Sequence, residues 1–82
     1  MADNKKLITI VVSLYNEEEG LLPFYHLLLK SLQVIKAYKF ELIWVNDGSS
    51  DGTEFVINKA IADNPYTDIE NTVISFSKKL WA

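Results

Sequence analysis

Phe40-Glu41-Leu42-Ile43-Trp44-Val45-Asn46-Asp47-Gly48-Ser49-Ser50-Asp51-Gly52-Thr53 passes from an apolar run into a small, polar, glycine-bearing loop. A short run of Leu, Ile, Trp and Val bounded by turn residues reads as a buried strand over Phe40 to Asn46. Asp51, with Glu54 three positions later, reads as a capping box that opens a helix. The unit is therefore strand, loop, helix. A carboxylate at the carboxyl end of such a strand stands where open α/β sheets place their ligands, which makes Asp47 the first candidate for chemistry.

Upstream, Leu7-Ile8-Thr9-Ile10-Val11-Val12-Ser13 is rich in β-branched residues without strict alternation, the pattern of a first strand covered on both faces. Leu14-Tyr15-Asn16 then leads to Glu17, Glu18 and Glu19. Asn16 is expected to cap a helix whose positive end the three carboxylates favour, which accounts for them without a metal. The helix is expected from Leu21 to Tyr38, with Pro23 tolerated near its start and Lys36, Tyr38 and Lys39 at its end. Leu21, Leu28, Leu32 and Ile35 mark one face, and Leu22, Phe24 and Leu29 widen it, which predicts packing on the sheet and on a second neighbour. Downstream, Phe55, Val56, Ile57, Ala60 and Ile61 give a second helix that stops near Asp63-Asn64-Pro65, because a residue before proline resists the helical region. Tyr66 to Asn71 reads as a polar connection and Thr72 to Ser77 as a third strand. The expected class is α/β: a βαβαβ chain forming the parallel three-stranded half of a Rossmann-like doubly wound sheet, in spatial order 3-2-1. In that order the loops Ser13–Glu17 and Asn46–Asp51 lie side by side and form one site. The order also leaves the apolar first strand at an edge, which predicts a homodimer or higher oligomer through that edge.

The 82 residues, 49% hydrophobic and 23% charged, suit one small globular domain. A formal charge of −3 gives no general attraction to nucleic acid. Cysteine is absent, which excludes disulfides and thiolate chemistry. The first residues lack the pattern of a signal peptide and no apolar run is long enough to span a membrane, so a cytoplasmic location is expected. Neither Gly-x-Gly-x-x-Gly after the first strand nor Gly-x-x-x-x-Gly-Lys-Ser/Thr occurs. The segment from Asp47 to Asn58 imitates a calcium loop but ends in Asn58 instead of a bidentate Glu, and a strand precedes it. His26, alone within a helix, reads as a surface or packing residue, and Trp44 as core; Trp81 has no assignment.

Two loops remain, carrying an aromatic ring, a carboxylate and a glycine. The ring of Tyr15 offers stacking to a flat base, Asp47 accepts from an imide N–H, and Gly48 lets backbone approach closely. Ile10-Val11-Val12-Ser13-Leu14-Tyr15-Asn16-Glu17-Glu18, followed one helix later by Trp44-Val45-Asn46-Asp47-Gly48-Ser49-Ser50-Asp51-Gly52-Thr53, closely resembles the start of family 2 glycosyltransferases of the GT-A fold. The likeness is strongest to the branch of dolichyl-phosphate mannosyltransferase and the bactoprenol glucosyltransferases, and it extends from about Leu7 to Ser77. It implies a UDP- or GDP-sugar donor and an acceptor such as a polyprenyl phosphate. By position it implies that Ser13 and Tyr15 line the nucleoside, Glu17 lies close to the donor, Asp47 hydrogen-bonds the base and Gly48 admits the nucleotide. Asn16, Asn46, Ser49 and Asp51 would support the loop. Ser13 stands where many relatives have proline and Asn46 where many have aspartate.

Relatives carry a later Asp-x-Asp that holds Mg²⁺ or Mn²⁺, then an acidic base, and they follow the third strand with Ser-Arg-Asn and a glycine. This chain reads Ser77-Lys78-Lys79-Leu80-Trp81-Ala82 and contains no Asp-x-Asp. The expectation is a truncated GT-A nucleotide-binding half-domain over 1–82, with a structured core at 7–77. It holds no metal or other cofactor of its own and binds donor without transferring sugar. Full-length relatives often act at the cytoplasmic face of the membrane. The competing expectation is a non-catalytic oligomeric interaction module that retains the half-fold.

Overall fold

The computed structural model describes residues 5–76 and runs β1 (Lys6–Leu14), α1 (Leu21–Leu32), β2 (Tyr38–Asp47), α2 (Thr53–Ala62), β3 (Ile69–Phe76). The three strands form one parallel sheet in the order β1-β2-β3, so β2 is central and β1 lies at an edge, as the sequence predicts. The register sets Lys6 against Tyr38 and Leu14 against Asn46, then Phe40 against Ile69 and Asp47 against Phe76. Alternate β2 residues Phe40, Leu42, Trp44 and Asn46 are buried, while those between them are only half-buried. Leu21, Tyr25, Leu29 and Leu32 of α1 and Ile57 and Ala60 of α2 join the β2 apolar residues, Leu14 and Ile69 in one core. The sheet is thus filled on one face. Leu7, Val11, Ile74 and Phe76 occupy the alternate positions and are exposed on the other.

That one-sided packing corrects the reading of β1 as covered on both faces. Its apolar run resembles that of a buried parallel strand, but among the described residues the crossover helices cover a single face and nothing pairs with its outer edge. The first helix is also shorter than expected, ending at Leu32 instead of Tyr38. Tyr38 and Lys39 are drawn into β2 to pair with Lys6 and Leu7, and the chain reverses over 33–37. α1 rests on the sheet and on α2, as its broad apolar face predicts, yet Leu22, Phe24 and Leu27 stay exposed. β3 begins at Ile69, so Ile69 to Asn71 belong to the strand and not to the connection. Ser77 and the terminal residues through Trp81 lie outside the described residues.

Trp44 and Tyr25 occupy the centre of the core, their ring centroids 5.5 Å apart, with Phe24 edge-on to Trp44 at 6.3 Å. The indole Nε1 donates to Asn71 Oδ1 at 2.8 Å, which satisfies the one polar atom of the buried tryptophan. Burial pushes the Tyr25 phenol pKa up, while the nearby Asn71 side chain opposes that shift. No described helix is long and apolar enough to cross a membrane.

Candidate functional site

The site loops leave the sheet together. Leu14 and Asn46 are the last register pair between β1 and β2; Tyr15 lies just past the end of β1, and Asp47 is the last residue of β2 at the carboxyl edge. Asn46 faces the helices and is buried; Ser13 and Asp47 lie at alternate positions, on the uncovered face. Its amide organises the second loop: Oδ1 accepts from the Ser49 N–H at 3.3 Å and Nδ2 donates to Glu54 Oε1 at 3.4 Å. Gly48 has φ 73°, a left-handed conformation that glycine adopts without penalty. Asn16, at φ 52°, is the described non-glycine residue with positive φ, a conformation asparagine tolerates better than most residues.

Hydrogen bonds running in both directions clasp the two loops. Ser49 Oγ accepts from the Asn16 N–H at 3.0 Å, and Asn16 Oδ1 accepts from the Ser50 N–H at 2.9 Å. The Glu18 N–H donates to Asp51 Oδ2 at 3.3 Å, and Glu18 Oε1 accepts from the Gly52 N–H at 2.9 Å. The Glu17 N–H donates at 2.8 Å to Thr53 Oγ1, whose own proton goes to Asp51 Oδ1. The structure therefore brings together Asn16, Glu17, Ser49 and Asp51. Ser13, Tyr15, Asp47 and Gly48 stand at the same edge, but the hollow of about 360 Å³ between the loops is walled by Asn16, Glu17, Glu18, Glu19, Gly20 and Asp51.

Two local expectations are corrected here. Asn16 is not a helix cap: α1 starts after Gly20, with no acidic residue in its first turn, and Asn16 spends its side chain on the neighbouring loop. The capping box at Asp51 does not form, because Gly52 is the N-cap of α2 and no side chain caps it. Asp51 accepts from the Thr53 N–H at 2.9 Å at the start of α2, while Glu54 turns to Asn46 instead of returning to Asp51. Sequence reasoning missed Thr53 and Glu18. Thr53 is completely buried and relays Glu17 to Asp51, and Glu18 folds so tightly over Gly52 that an added Cβ there would lie 2.9 Å from its carboxyl carbon. The signal for Thr53 was its place directly after Asp51-Gly52, where a short hydroxyl competes for the capping carboxylate.

The Thr53 hydroxyl, followed by the Thr53 and Glu18 N–H groups, holds the Asp51 pKa below the usual aspartate value. A carboxylate with a depressed folded-state pKa contributes its bonds fully above the unfolded value and loses them as pH falls through the folded one. The Glu18 and Thr53 amide resonances are therefore expected to move together with a midpoint below the ordinary aspartate value. A shared midpoint at or above that value would contradict the clasp. Among the described residues no three His, Asp or Glu side chains converge as a metal site requires. Glu18 and Asp51 direct carboxylate oxygens at N–H groups.

Parallel strands joined by helices on one face, with both loops gathered at the carboxyl edge, define a Rossmann-like half-fold. The chain matches the family described as glycosyl transferase family 2 over residues 9–80. It belongs to that family. It is 36% identical over 58 residues to a prophage bactoprenol glucosyl transferase homolog of Escherichia coli K12, covering 71% of this chain and 19% of that relative. The bactoprenol glucosyl transferase of Shigella phage SfV is 38% identical over the same length and shares. An uncharacterized glycosyltransferase of a Synechocystis strain is 35% identical over 75 residues, covering 89% of this chain and 23% of the relative. The chain thus spans about a fifth of the length of the first relatives, at 19%. No solved structure matches it.

Proposed function

We propose that this chain forms the nucleotide-recognition part of a family 2 glycosyltransferase and binds a UDP- or GDP-sugar at the carboxyl edge of β1 and β2. The single observation that supports the reading is the clasp between the loops 13–20 and 46–53, the two stretches that carry Tyr15 and Asp47. Pre-ordered loops lower the entropic cost of binding. Asp47 accepts from the imide N–H of the base, Tyr15 stacks on it, Ser13 lines the nucleoside, Glu17 approaches the donor, and the Gly48 turn admits the phosphate-bearing side. Asn16, Asn46, Ser49 and Asp51 hold these groups in position. The sugar acceptor is of the polyprenyl phosphate class, by likeness to proteins named for bactoprenol.

Calorimetric titration of the 82-residue chain with UDP, UDP-glucose and GDP-mannose tests this reading, with saturable binding of at least one nucleotide expected. A folded chain that binds none of them contradicts it and favours the interaction-module reading. The same 82 residues are expected to leave UDP-glucose unturned over, because they contain no Asp-x-Asp.

A further inference from the structure

We propose that the Thr53 hydroxyl is the pin that sets the first loop, 13–20, against the second, 46–53, and is through that loop a positioning residue for the nucleotide. The positioning role rests on the nucleotide reading above; the pin itself does not.

Three successive N–H groups of the first loop are taken by three side chains of the second. The Asn16 N–H donates to Ser49 Oγ at 3.0 Å, the Glu17 N–H to Thr53 Oγ1 at 2.8 Å and the Glu18 N–H to Asp51 Oδ2 at 3.3 Å. The outer two bonds are exposed, so water can take over either donor at little cost. Thr53, the partner of the central amide, is completely buried, and solvent cannot take the place of its oxygen. A hydroxyl accepts and donates at a single atom. Thr53 uses both capacities, accepting from Glu17 and giving its proton to Asp51 Oδ1. The same carboxylate oxygen takes the Thr53 N–H at 2.9 Å, which orients Asp51 to present its other oxygen to Glu18. Loss of the hydroxyl would therefore loosen two of the three bonds at once.

The Glu17 peptide carries the effect outward. Its N–H is held by the first residue of α2, and its C=O accepts at 3.0 Å from the N–H of Leu21, the first residue of α1. One residue thus ties the starts of both helices together. Immediately before it stands Asn16, whose φ of 52° is a left-handed conformation that even asparagine adopts at some cost. A turn of that kind persists when its surroundings over-determine it, and the Glu17 N–H bond to Thr53 is the part of that hold which water cannot replace. Tyr15 enters the turn and Glu17 leaves it, so the placement of both follows from the pin. Thr53 itself, completely buried, meets no ligand.

Amide hydrogen exchange and nucleotide titration of Thr53→Val, which keeps the branched shape and lacks the hydroxyl, test the proposal, with far-UV circular dichroism to confirm folding. Thr53→Ala, which also lacks the hydroxyl, replaces it if the valine form does not fold. The Glu17 amide is expected to exchange roughly tenfold faster relative to the Trp44 amide in the core, as a local opening requires. The Asp51 titration midpoint is expected to rise, because the Thr53 hydroxyl is the first of the groups that hold it down. Affinity for UDP or GDP-mannose is expected to fall roughly tenfold, and Thr53→Ser, which restores the hydroxyl, to recover all three readouts. Glu17 exchange that does not change, that changes only in step with Trp44, or that serine fails to recover overturns the pin. The expected exchange with unaltered nucleotide affinity overturns the positioning role. A wild type that binds neither UDP nor GDP-mannose removes the nucleotide reading and the positioning role with it, while the exchange and the Asp51 midpoint still decide the pin.

Discussion

Trp44→Ala is expected to lower the unfolding free energy by about 3–5 kcal/mol, the usual cost of deleting a buried large aromatic. Trp44 is completely buried in the central strand, against Tyr25 and Phe24, so its removal opens a cavity that the sheet and both helices border. It also strips Asn71 Oδ1 of its donor. A small domain holds only about 5–15 kcal/mol in total, so this variant is expected to be largely unfolded at moderate urea. Trp44→Phe keeps most of the volume and loses the indole N–H, for a smaller cost of about 1–3 kcal/mol. Urea titration followed by far-UV circular dichroism checks both, and a loss below about 1 kcal/mol for Trp44→Ala would contradict the placement of the core, given such costs.

Asp47→Ala is expected to weaken nucleotide binding by roughly ten- to a hundredfold, because a hydrogen bond to a charged acceptor is worth about 1.5–3 kcal/mol. Asp47 ends β2 at a half-buried position outside the core, which separates its role from that of its neighbour Asn46. Asn46 is buried and ties the loop to α2 through Glu54. Asp47→Asn keeps an acceptor oxygen and loses the charge, so an intermediate affinity is expected. Titration of UDP into the three forms measures the series. Equal affinities would remove Asp47 from the recognition role.

The element order and the joined carboxyl edge were legible because each rests on local signals. Val, Ile and Trp runs mark strands, the leucine periodicity marks α1, and right-handed crossovers between strands that are neighbours in sequence give the order β1-β2-β3. What escaped depended on partners distant in sequence. Asn16 has the composition of a helix cap, but its amide is claimed by Ser50, 34 residues away. Glu54 completes a capping box on paper and is taken by Asn46 in space. The end of α1 was misjudged because Val34, Ile35 and Tyr38 prolong the helical pattern, and only the pairing of Tyr38 with Lys6 shows that the strand has already begun. The exposure of β1 was hidden for a related reason: an apolar, β-branched run reads the same whether its second face is covered or not. Family likeness pointed to Ser13, Tyr15 and Asp47, whereas the buried relay at Thr53 emerged only from the geometry that joins Glu17 to Asp51.

The central claim is that the edge formed by the two clasped loops recognises a nucleotide. Mapping amide chemical-shift changes of the ¹⁵N-labelled chain on addition of UDP tests it most directly. The account predicts saturable changes concentrated at Tyr15, Asn16, Asp47 and Gly48, with the amino ends of the strands around Lys39 and Asp68 unmoved. Changes centred on those amino ends, or none at millimolar UDP in a folded sample, would contradict it.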